Sequence, residues 1–126
     1  EIVMNGVGPL RVKLLGDATA ATFVASGTSV PVDIHCKAAP AFYVRSDGGT
    51  ISAGVVTFEE ADWDEQEMIY SGTWSVITTL DVTTLSTLTA QSAVHLQASD
   101  YAYIRARIST ALTGGGKINV TLRARG

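Results

Sequence analysis

The stretch Asp100–Gly126, DYAYIRARISTALTGGGKINVTLRARG, decides the fold. Two runs of alternating character flank the cluster Gly114–Gly116, which is the sequence form of an antiparallel hairpin. In the first run Ala102, Ile104, Ala106 and Ile108 share one side, and Tyr101, Tyr103, Arg105 and Arg107 the other. In the second, Ile118, Val120, Leu122 and Ala124 lie opposite Lys117, Asn119, Thr121, Arg123 and Arg125. Successive side chains of a strand point to opposite sides of its sheet. Each run therefore has an apolar side for a core and a basic side turned away from it.

Outward from this pair, the chain repeats the pattern in shorter form. Pro9–Leu15 alternates through Leu10, Val12 and Leu14, and Ala18–Ser26 offers a second strand around Phe23. Val30, Val32 and Ile34 alternate with Pro31, Asp33 and His35, and the proline marks an edge strand. Ala41–Ser46 and Thr50–Glu60 flank Asp47-Gly48-Gly49, a second hairpin signal, with Gly54 marking a bulge. Ala61–Glu67 reads as a loop or one short helical turn, Thr73–Asp81 as a strand, and Ala93–Gln97 as the lead into the terminal pair. No window of about 10–12 residues carries a helical stripe. The pattern predicts an all-β fold: an antiparallel β-sandwich, jelly-roll-like, of eight or nine short strands. It predicts one β-sandwich domain over residues 9–126, preceded by an N-terminal arm, residues 1–8 (EIVMNGVG).

With 126 residues, 46% of them hydrophobic, the chain can bury a core without disulfides or metal. Charged residues are only 17%, which suggests that part of the surface meets another protein. The net charge of −3 argues against a nucleic-acid binder. The charges are segregated. Glu59, Glu60, Asp62, Asp64, Glu65 and Glu67 crowd one segment, while Arg105, Arg107, Lys117, Arg123 and Arg125 crowd the terminal pair. The two groups can meet inside one protomer or across a contact between copies. Cys36, the single cysteine, excludes an intrachain disulfide and a multi-cysteine metal site. No apolar run reaches the roughly 20 residues needed to span a bilayer as a helix, so no membrane partner is expected.

Reactive chemistry is sparse. His35 and Cys36 are neighbours on a strand and point to opposite faces, and His95 is the other histidine. No nucleophile-elbow motif is present. Asp62, Asp64, Glu65 and Glu67 offer oxygen ligands for a hard cation but lack the spacing of an EF-hand loop. They also have no second acidic cluster to face them as a glycosidase pair. The glycine run Gly114–Gly116 has no G-K-[ST] and no following helix, so it is no phosphate loop. The residues give no catalytic, cofactor-binding or metal-binding assignment. Tyr101 and Tyr103, with Trp63, Trp74, Tyr43 and Tyr70, suit a sugar-stacking face. The strand side that carries the first two continues into Arg105 and Arg107, and aromatic residues with arginine are typical of protein interfaces. The candidate partner interface is therefore Tyr101, Tyr103, Arg105, Arg107, Arg123 and Arg125.

The segments SGTWSVITTL (Ser71–Leu80) and HLQASDYAYIRARISTALTGGGKINVTLRARG (His95–Gly126) resemble small virion proteins of tailed bacteriophages. Those often end in a "YxYIRARIS"-like strand, a glycine-rich turn and an "INVTLRA"-like strand. The resemblance implies a non-enzymatic structural β-sandwich that forms homo-oligomers, commonly trimers, and attaches to a capsid or tail. Within that group it favours a capsid decoration (cement) protein. Such a protein would be made in the host cytoplasm and held on the virion surface by the major capsid protein, at capsomer junctions, without cofactor or nucleic acid. A tail or head–tail connector component is one alternative. A carbohydrate- or host-surface-binding module is another.

Overall fold

The computed structural model describes residues 9–16, 23–34, 37–61, 63–64, 69–70, 73–85, 91–96 and 103–126, with backbone alone for 63, 64, 69, 70 and 91. The predicted N-terminal arm, Ala18–Thr22 of the second predicted strand, His35, Cys36 and Tyr101 lie outside the described residues.

Among the described residues, ten strands and one short 3-10 turn follow in order. They are β1 (Leu10–Leu15), β2 (Val32–Asp33), β3 (Ala38–Ser46), β4 (Ala53–Ala61), β5 (Trp63–Asp64), β6 (Ile69–Tyr70), β7 (Ser75–Asp81), the turn Val82–Leu85, β8 (Gln91–His95), β9 (Tyr103–Thr113) and β10 (Ile118–Arg125). The first four-stranded sheet has the order β1-β10-β3-β8 and the second β2-β9-β4-β7, while β5 and β6 pair by themselves. All pairings are antiparallel. Two four-stranded sheets in this interleaved order make a jelly-roll sandwich, as the alternation predicts.

The connectivity differs from the expected hairpins. β9 and β10 do not pair with each other: β9 lies between β2 and β4, and β10 lies between β1 and β3 in the opposite sheet. The same holds for β3 and β4 around Asp47-Gly48-Gly49. The physical reason is the doubled apolar face. Strands paired side by side would present both faces to one side and still need a cover. Strands arched across the sandwich cover each other. Ile104 and Ala106 on β9 and Ile118, Val120 and Leu122 on β10 are all fully buried in one core. At the centre of that core the rings of Phe42 (β3) and Phe58 (β4) stack at 4.2 Å, one from each sheet. Burying each contributes about 1.5–3 kcal/mol.

The two arches are tied to one another. Asp47 N–H donates to the Lys117 carbonyl (3.0 Å), and the Asp47 carboxylate accepts from the N–H groups of Lys117 (3.1 Å) and Gly49 (2.9 Å). Those two backbone donors, first Gly49 and then Lys117, hold the Asp47 carboxyl below its usual range. Gly116 N–H donates to the Thr50 carbonyl at 2.7 Å. A Cβ at Gly116 would stand 2.7 Å from the Gly49 and Thr50 carbonyl oxygens, so only glycine fits there.

Other local expectations are refined. Among the described residues of the second predicted strand, Val24 makes an isolated bridge to Ile118. The chain then leaves the first sheet and runs beside β9, through Ala25 with Leu112, Gly27 with Ile108 and Ser29 with Ala106. It reaches β2 at the edge of the second sheet, where Pro31 predicts it. Register shifts bracket Val55, next to Gly54, the predicted bulge. Within the acidic segment, Trp63–Asp64 is strand rather than loop or helical turn and pairs with Ile69–Tyr70. Asp62 and residues 65–67 lie outside the described residues.

Candidate functional site

The candidate interface residues are split between two surfaces. Tyr103, Arg105 and Arg107 project from β9 on the outer side of the second sheet, while Arg123 and Arg125 project from β10 on the outer side of the first.

On the second sheet, the arginines are occupied within the protein. Glu59 of β4 lies directly opposite Arg105 of β9. Arg105 Nε donates to Glu59 Oε1 at 2.9 Å, and Arg107 donates to both carboxylate oxygens at 3.2 Å. Burial pushes the Glu59 carboxyl up. The hydrogen bonds and charges of Arg107 and Arg105 outweigh it and hold the group below its ordinary value. The Arg105 guanidinium lies 4.2 Å over the Trp74 ring. Tyr103 packs with Ala61 and Trp74 and is only 5% exposed; burial first, then the charge of Asp33, raises its phenol pKa. Thr57 donates to Ser109 Oγ at 2.7 Å. Acidic and basic segments that the sequence sets far apart meet here inside one protomer.

The first sheet has a different outer side. Arg11 and Lys13 project from β1, Thr121, Arg123 and Arg125 from β10, Tyr43 and Arg45 from β3, and His95 from β8. Arg11 is directly opposite Arg123, and Lys13, Thr121, Tyr43 and Ala93 form one row across the four strands. The Arg123 guanidinium lies 4.5 Å over the Tyr43 ring, and His95 meets that ring edge-on at 6.3 Å. An open cleft of about 390 Å³ is lined by Arg11, Tyr43, His95, Arg123, Arg125 and small residues including Ala41. A recess of about 110 Å³ adjoins it, lined by Lys13, Phe23, Arg45 and Asn119 among others. No described acidic side chain lines either. At the rim, the β3–β10 register shifts between Arg123 and Arg125, where Ala39 holds a left-handed φ of 51°. Such a conformation costs a residue with a Cβ about 1–2 kcal/mol, and bulges of this kind re-aim neighbouring side chains.

Arg123 and Arg125 are among the interface candidates the sequence offers; Arg11, Lys13 and Arg45 are not, and Tyr43 enters only in the sugar-stacking set. The signal was present in LRVKLL (Leu10–Leu15) and FYVR (Phe42–Arg45), where basic residues alternate with apolar ones as they do near the C-terminus. Of the sugar-stacking aromatics, Tyr43 and Trp74 each have an arginine over the ring; Tyr43 is on the first sheet, and Trp74, just before β7, packs against the second. His95 neighbours Tyr43 and Arg123 in the cleft, which has no described carboxylate in its lining. Among the described residues no helix is long and apolar enough to cross a membrane. No family model matches the sequence, and neither does any curated protein.

Proposed function

We propose that this protein is a non-enzymatic virion structural protein of a tailed bacteriophage, a capsid decoration protein that stabilises the shell. The observation that carries the reading is the outer side of the first sheet. Arg11, Lys13, Arg45, Arg123 and Arg125 stand there around Tyr43, and no acid from the described chain neutralises them. A rigid sandwich with one self-satisfied side and one uncompensated side is built to adhere. Arginine and tyrosine are the residues that protein interfaces favour. The fold agrees at the level of analogy, since jelly rolls occur in viral capsid proteins as well as in lectins. Binding to the assembled lattice and not to its free subunits stabilises the shell by mass action, with no cofactor and no bond made or broken. Self-association as a trimer would present three such sides at a junction of capsomers, on the outside of the virion.

The purified protein should form a symmetric oligomer by light scattering and co-sediment with expanded shells of the phage that encodes it. A monomer that stays in the supernatant would overturn the proposal.

A further inference from the structure

We infer that the outer side of the first sheet binds an extended acidic polypeptide segment, with carboxylates at alternate positions seated between Arg11, Arg123 and Arg125. The inference rests on the decoration reading for the source of that segment, a neighbouring virion protein, and takes its chemistry from the geometry alone.

The first argument is energetic. Like charges directly opposite one another in a sheet are unfavourable, and Arg11 and Arg123 are such a pair. In the second sheet Arg105 and Arg107 are alternate residues of one strand, and Glu59 is clamped between them. The first sheet has no described carboxylate in that place. A carboxylate from outside the described chain would complete this side as Glu59 completes the other.

The second argument is spacing. Alternate residues of a strand are about 6.6–6.8 Å apart, and adjacent strands about 4.8 Å. Cations on β1 and β10 therefore form two rows with the repeat of alternate side chains on an extended peptide. Guanidinium groups grip carboxylates through two parallel hydrogen bonds. Arg123 is held over Tyr43, so less of its freedom is lost on binding. The cleft of about 390 Å³ beside it is open and floored by small residues, leaving room for the incoming side chains.

The third argument separates an acidic peptide from a nucleic acid. Single-stranded nucleic acids need open aromatic faces on which bases stack. The Tyr43 ring is already covered by Arg123 and met by His95, and the chain as a whole is acidic, at −3.

The test uses the whole protein and a fluorescein-labelled Glu-Thr-Glu-Thr-Glu-Thr-Glu peptide, read by anisotropy. A Gln-for-Glu peptide is the control, and oligo(dT) and heparin are the competing polyanions. The Glu peptide should bind saturably and weaken with salt, and the Gln peptide should not bind. R11E and R123E should each lower affinity at least tenfold. R11E turns the repulsive pair into an attractive one, so its melting temperature should be unchanged or higher, and lost affinity cannot then be laid to misfolding. Equal binding of both peptides, wild-type affinity in R11E, or tighter binding of oligo(dT) or heparin would each overturn the inference. Shell co-sedimentation separates this result from the parent reading. Shells bound without peptide binding would overturn the acidic-segment inference and leave decoration standing. Peptide binding without shell binding would do the reverse.

Discussion

The outer sides of the two sheets are built from the same kinds of residue and reach opposite states. Each carries arginines on a long strand and one arginine stacked on an aromatic ring, Arg105 over Trp74 and Arg123 over Tyr43. What separates them is a single acid. Glu59, only 5% exposed, accepts from Arg105 and Arg107 and closes the second side. The place across from Arg123 holds Arg11 instead. One carboxylate in register converts a basic stripe into internal structure, and one guanidinium in register leaves the stripe to recruit its partner from elsewhere.

The comparison can be broken at three points, in falling order of effect. G116A attacks both sides together, because it wedges a methyl group between the arches that set the sheets against one another. It should cost about 3 kcal/mol in denaturant unfolding, with near-ultraviolet dichroism weakened throughout.

E59Q attacks the closed side alone. It leaves two arginines facing an amide and should cost about 2 kcal/mol, within the range for hydrogen bonds to a charged group. The pH dependence has a defined sign. The folded-state pKa of Glu59 lies below its ordinary value of 4.5, so its stabilising contribution is complete above about that pH. It is lost as the pH falls through the lower folded value. Asp47 and Asp81 are shifted in the same direction by backbone and hydroxyl donors. The E59Q unfolding profile should therefore keep an acid slope, but a shallower one than wild type. An unchanged slope would mean that the clamp contributes nothing.

R11T, on the open side, should have the smallest effect and the opposite direction. Removing one member of the repulsive pair should raise stability by up to about 0.5 kcal/mol at low salt, and the gain should shrink as salt screens the charges. A loss of 1 kcal/mol or more would show that Arg11 has an intramolecular partner and that the open side is not open.

Much of this architecture is legible in the sequence. Alternation marked β1, β3, β4, β7, β9 and β10, Pro31 marked an edge, and Gly54 marked a bulge. The inward sides of β9 and β10, Ile104, Ala106, Ile108, Ile118, Val120 and Leu122, are the ones the period of two selects. Alternation is a local property: it depends on where successive Cβ atoms point, and every residue carries it unaided.

The partner of each strand is not local, and there the sequence was silent or misleading. DGG and TGGGK are as well suited to an arch between sheets as to a hairpin within one. The choice between them was made by burial, because an arch lets two apolar faces cover each other. The same choice set β4 beside β9 and brought Glu59 to Arg105 across 46 residues of chain, while setting β1 beside β10 and Arg11 against Arg123. Which stripe of charge became structure and which stayed a surface was decided by strand order, since the energy of a charged pair depends on distances that only the packed sheets define.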